Sequence, residues 1–110
     1  MRQFLVDEIP HRQMEAIEDY LKKKTIVSGL EKIFWLEIPE NLLSPIQYEH
    51  KGCGPHYLAI ELGQDFLKFE FLARSRKRLR CDCVQYITPA QENFLLNFAR
   101  TLIQTLGLNF

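Results

Sequence analysis

The chain has no excess of charge in either direction. Its 110 residues hold 14 Lys+Arg and 14 Asp+Glu, a formal net charge of zero with His neutral. That excludes a protein that coats nucleic acid or membrane by bulk charge. No stretch approaches the roughly 18 uninterrupted apolar residues of a membrane span. Residues 1–8 offer one basic residue and then acidic ones, without the apolar run of an export signal. Cysteine is scarce: the count is three, an odd number. An odd count without an export signal predicts free thiols in a reducing cytoplasm. A Gly-rich phosphate loop, a metalloprotease helix and a serine nucleophile elbow are all missing. So are internal repeats and low-complexity tracts.

What is present is ordinary globular composition. Hydrophobic residues make up 46% and charged residues 25%, which excludes a disordered tail. The length predicts a single domain over residues 1–110, able to bury a core without staples.

Periodicity places the elements. Residues 2–8 read as a short strand or an extended lead-in. Met14, Ile17, Tyr20 and Leu21 share one face of a helix over residues 10–24, with Pro10 suited to its first turn. Residues 33–38 are aromatic and β-branched and end at Pro39, which predicts a strand. Residues 39–55 hold three prolines and two glycines, an irregular connection with one helical turn near Asn41-Leu42-Leu43. A loop of that length is functional or packed by its own side chains. Strands with alternating apolar residues follow at 56–62, 66–73 and 79–87. Thr88, Pro89 and Gln91 then form an N-cap, a first helical residue and a capping-box partner, and Gly107 stops the helix. The expected fold is α+β: a four-stranded antiparallel meander with an N-terminal and a C-terminal helix packed on it.

Three features carry candidate function. The first is the closing helix. From residue 89 to the end only Glu92 and Arg100 are charged, and its apolar arc spans about 200°, where a surface helix needs roughly 100°. Leu42, Leu43 and Phe110 would cover it within the chain; the alternative is a homodimer through Leu96, Ala99 and Ile103.

The second is a basic hairpin. Arg74, Arg76, Lys77, Arg78 and Arg80 place five cations in seven residues. Arginine forks suit carboxylate and phosphate, so an acidic protein or a small anion is the expected ligand, unless Glu40 and Glu49 neutralise the loop. Trp35, Tyr57 and Tyr86 fall on the outward parity of their strands, in the manner of a stacking platform for RNA or single-stranded DNA. Glu37, Glu61, Glu70 and Asp82 share that face and disfavour nucleic acid.

The third is a set of thiols and imidazoles. His50, Cys53, His56 and Cys81 are candidate zinc ligands, since zinc takes four N or S donors in a tetrahedron. The meander puts 56 and 79 at the same end of the sheet, about 9.5 Å apart, within reach of the 39–55 loop. Cys81 and Cys83 have inward parity on their expected strand, which makes them core residues and a poor chelate. Gly52-Cys53-Gly54-Pro55 would expose Cys53 as a nucleophile, although no orienting group accompanies it. The combined expectation is a non-catalytic interaction module with an acidic or anionic partner, with a metal- or thiol-dependent site as the alternative.

Overall fold

The computed structural model describes residues 2–108. Strand β1 (Gln3–Val6) leads into helix α1 (His11–Lys24), then β2 (Ile26–Val27) and β3 (Ile33–Glu37). The connection that follows holds a 3-10 turn at Glu40–Leu42, helix α2 (Pro45–Glu49) and a second 3-10 turn at Lys51–Cys53. Strands β4 (His56–Leu62), β5 (Leu67–Glu70), β6 (Leu72–Ser75) and β7 (Gln85–Tyr86) precede the closing helix α3 (Pro89–Thr105). The class is α+β with an antiparallel sheet, as the alternation predicts. The sheet has seven strands where four were expected.

The extra strands have local causes. In the order β1-β5-β4-β3-β2, the last four make the meander, and β1 pairs with β5 along its whole length. The expected strand 66–73 is broken in two. Between the Ile60–Phe69 and Tyr57–Arg74 pairs, β4 has two residues and its partner has four. This wide bulge bends the chain at Phe71. The Phe71 amide donates to the Arg2 carbonyl, and its own carbonyl accepts from the Ile87 amide.

The expected strand 79–87 is mostly absent. Only Gln85 and Tyr86 pair with β6. Leu79, assigned to the inward face, is 90% exposed. Cys81 and Cys83 lie in a turn closed by the Val84 amide on the Cys81 carbonyl at 3.0 Å. Alternation of apolar letters was misleading here because the two cysteines answer to each other and to His50, not to the sheet.

Core side chains from one sheet face (Phe34, Leu36, Leu58, Ile60, Leu67, Phe69) meet Ile17 and Leu21 of α1 and Leu95, Ala99 and Leu102 of α3. Tyr20 and Phe98 join the helices edge to face at 6.0 Å. The wide apolar arc of α3 is used largely inside the chain. Ala99, expected at a dimer face, is 1% exposed in the core, and Leu96 and Ile103 pack against that core half-buried. Phe110 lies outside the described residues. Among the described residues, no helix is long and apolar enough to cross a membrane.

Candidate metal centre

Four side chains converge at the end of the sheet where β4 begins. His50 and Cys53 come from the stretch that follows α2, and Cys81 and Cys83 from the turn before β7. One donor atom from each lies within 4.8 Å of all the others. His50 Nδ1 is 3.1 Å from Cys81 Sγ, and Cys53 Sγ is 3.9 Å from Cys81 Sγ. A tetrahedral zinc ion with one nitrogen and three sulfur ligands needs S···S edges of about 3.8 Å and N···S edges of about 3.6 Å. The quartet is therefore near the required size, and closure asks for shifts of about 1 Å or less. The donor set also fits: thiolates with imidazole in a tetrahedron select zinc among common divalent ions. Cys53 and Cys83 are buried, and His50 and Cys81 are half-buried on the solvent side.

Local sequence explains why the chain folds this way. Ser44 caps α2, accepting from the Gln47 amide while the Gln47 side chain accepts from the Ser44 amide, with Pro45 at the first helical position. The short helix ends at His50, whose carbonyl accepts from the Cys53 amide at 2.8 Å. That two-residue spacing aims both side chains at one point. The cationic loop closes over them. The Ser75 hydroxyl donates to the Cys53 carbonyl, the Arg76 amide to the Pro55 carbonyl at 3.1 Å, and the Lys77 amide to the Cys53 carbonyl at 3.4 Å.

Behind the cysteines lies a buried polar relay. Gln91, the capping-box glutamine of α3, donates to the Leu42 carbonyl and to Gln47 Oε1, both at 2.9 Å. Gln47 donates in turn to the Cys83 carbonyl at 3.2 Å. Two capping boxes are thus joined through their glutamines, and the join ends on the cysteine turn. Both side chains are essentially fully buried. Replacing Gln47 by Leu strands the Ser44 amide, the Gln91 amide group and the Cys83 carbonyl. The expected loss is roughly 2–4 kcal/mol, read as a lowered urea midpoint with unchanged slope.

The thiols are electrostatically unequal. The Cys83 backbone amide and thiol, then His50 and Cys53, pull the Cys81 thiol down to about 6. Burial pushes the Cys83 thiol up to about 12, with the neighbouring cysteines adding to the rise. A thiolate is thus favoured at Cys81, on the half-open side of the quartet.

His56, expected as a ligand in place of Cys83, is not in the quartet. The register of β4 fixes it opposite Ser75 with its ring buried. Burial, then the charge of His50, lowers its pKa, and its Nε2 has no hydrogen-bond partner among the described residues. Cys53 is buried rather than displayed, so the loop does not present an open nucleophile. On the expected strand Cys81-x-Cys83 is a poor chelate; in the turn that the chain forms there, both thiols reach the quartet. Gln47 and Gln91 left a trace only as the third residues of two capping boxes.

The cations divide. Arg74, half-buried in β6, holds Glu70 through two hydrogen bonds of 2.7 and 3.2 Å. Arg76, Lys77, Arg78 and Arg80 are exposed and make no ion pair among the described residues. Glu40, expected to neutralise them, pairs with Lys51, and Glu61 pairs with Lys68 at 3.0 Å. Trp35 stacks on Tyr57 with ring centres 4.4 Å apart, and the Arg76 guanidinium sits 5.9 Å from the Trp35 centroid. Tyr57 is buried by this stacking and offers no open ring face.

No family model, curated protein or solved structure matches this chain.

Proposed function

We propose that the chain is a zinc-stapled, non-catalytic binding module. His50, Cys53, Cys81 and Cys83 hold one zinc ion. The ion fastens the cationic loop, residues 76–80, to the end of the sheet, and the loop engages an acidic or anionic partner. The observation that carries the reading is the convergence of four soft donors from two segments far apart in sequence. Four protein donors complete a tetrahedron and leave no open position for a reacting water, which is the pattern of structural rather than catalytic zinc.

Charge supports the same reading. Three thiolates and a divalent ion sum to one negative charge, and the loop that closes over them brings four exposed cations that make no ion pair among the described residues. The guanidinium groups of Arg76, Arg78 and Arg80 suit carboxylate or phosphate oxygens.

Elemental analysis of the purified protein tests the proposal. One zinc per chain is expected, falling to a small fraction in Cys83→Ser. In parallel, Arg76→Glu combined with Arg78→Glu is expected to abolish retention on a phosphate-bearing resin while zinc content stays at one. No stoichiometric zinc, with ordinary reactivity of Cys53 toward thiol reagents, contradicts the reading.

A further inference from the structure

The cationic loop has a counterpart on the same molecule, at the far end of the sheet. β4 runs from His56, paired with Ser75 where the loop begins, to Leu62, paired with Leu67. Six residue steps along a strand separate the two ends by about 20 Å. Beyond Leu62, the hairpin at 63–66 meets the segment that leaves β1, tied by the Ile9 amide on the Asp65 carbonyl at 2.9 Å. A recess of about 390 Å³ opens there. Leu5 and Phe66 supply its apolar surface, and Asp7, Glu8 and Asp65 its rim. Those three carboxylates are exposed and make no ion pair among the described residues, while Lys68, also at the recess, is held by Glu61.

The loop matches this recess in both chemistries. Leu79 is the most exposed large hydrophobic residue described, at 90%, and it stands between Arg78 and Arg80 with Lys77 and Arg76 close by in sequence. Phosphates offer a leucine nothing, so a polynucleotide explains the cations but not Leu79. An apolar pocket rimmed by acids explains both. The zero net charge also gains meaning, because a chain without net charge does not repel its own copies.

Resting on the reading that zinc fastens the loop, we infer that the acidic partner is a second copy of this chain. Leu79 of one copy seats between Leu5 and Phe66 of the next, and the flanking cations meet Asp7, Glu8 and Asp65. The contact is head-to-tail: it leaves a free loop at one end and a free recess at the other. Assembly therefore proceeds past the dimer into chains or rings. This surface is separate from the α3 face, where Ala99 is already inside the core.

Sedimentation equilibrium on the zinc-loaded protein tests the inference, with zinc measured on the same samples. Between roughly 10 μM and 1 mM the weight-average mass should climb beyond that of a dimer. It should return to the monomer near 1 M NaCl, where charges are screened beyond about 3 Å. Leu79→Ser should stay monomeric throughout. Two charge reversals provide the decisive arm. Arg76→Glu with Arg78→Glu cancels the loop's charge against the remaining Lys77 and Arg80, and Asp7→Lys with Glu8→Lys turns the recess basic against the single remaining Asp65, so that only the intact loop of one variant and the intact recess of the other still match. Each variant alone should be monomeric, and an equimolar mixture should associate again. A zinc-loaded wild-type chain that stays monomeric overturns the inference and leaves the zinc-stapled loop standing. So does association unaffected by Leu79→Ser, or association that requires added oligouridine. A chain without zinc removes the underlying reading and this inference with it.

Discussion

Stripping the metal with a chelator is expected to lower the melting temperature by about 10 °C or more. The estimate takes the metal-held lobe as contributing roughly 3 kcal/mol, with about 4–8 °C per kcal/mol for a domain near this size. The effect should be local before it is global. Among the described residues, no side chain of 45–53 or 76–84 belongs to the main core; Leu42 and Leu43 before the first segment and Ile87 after the second pack against it. The order of both segments depends on the four donors, the Gln47–Gln91 relay and the bonds from the Ser75 hydroxyl and the Arg76 and Lys77 amides to the Cys53 and Pro55 carbonyls. Hydrogen exchange should show amide protection lost across both segments on chelation, while the pairing of β3, β4 and β5 stays protected. Protection unchanged in both segments, with no fall in melting temperature, contradicts a metal-held lobe.

The second large effect belongs to the core. Phe69 is fully buried at the middle of β5, opposite Phe4 on one side and Ile60 on the other, with the two phenyl rings 6.0 Å apart. Phe69→Ala is expected to cost about 3–5 kcal/mol, the sum of lost burial and a cavity the sheet cannot close. Against a typical total of about 5–15 kcal/mol this is a large share. Urea denaturation reads it as a lower midpoint. Leu79→Ser, at a site that touches little within its own chain, should leave that midpoint within about 0.5 kcal/mol of wild type. The contrast separates a side chain that holds the fold, Phe69, from one that stands clear of it, Leu79.

The sequence made some of this legible and concealed the rest, for identifiable reasons. Both long helices follow from their apolar periodicity, and the start of α3 from Thr88, Pro89 and Gln91, which form the capping box they suggest. Gly107 ends α3 with a φ of 65°, a conformation that suits glycine. The alternation at 56–62 gives β4 residue for residue. The stretch that forms β1 reads equally as strand or lead-in, since four residues cannot reveal a partner that lies more than sixty positions away. The break at Phe71 was invisible because a bulge leaves the alternation of residue types intact.

The site was half legible. His50, Cys53 and Cys81 could be grouped from the expected meander, and the loop 39–55 does reach the start of β4. Cys83 is hidden, and His56 looks like the fourth ligand, because the residues around the cysteines alternate at strand period. Of residues 79–87 only Gln85 and Tyr86 join the sheet, as β7, and the cysteines before them obey a turn. Side-chain demand from a shared centre overrides local β propensity, which is a weak and context-dependent preference. The charge pattern was read with the wrong partners for a similar reason. Which acid meets which base depends on the path of the chain: the bend at Phe71 brings Glu70 beside Arg74, four positions on, and the four loop cations make no ion pair among the described residues.

Zinc K-edge X-ray absorption on the purified protein tests the central claim most directly. The account predicts three sulfur neighbours at about 2.3 Å and one nitrogen at about 2.0 Å, with that shell unchanged in His56→Leu. A shell of oxygen and nitrogen alone, or a shell that loses its nitrogen on replacing His56 rather than His50, contradicts it.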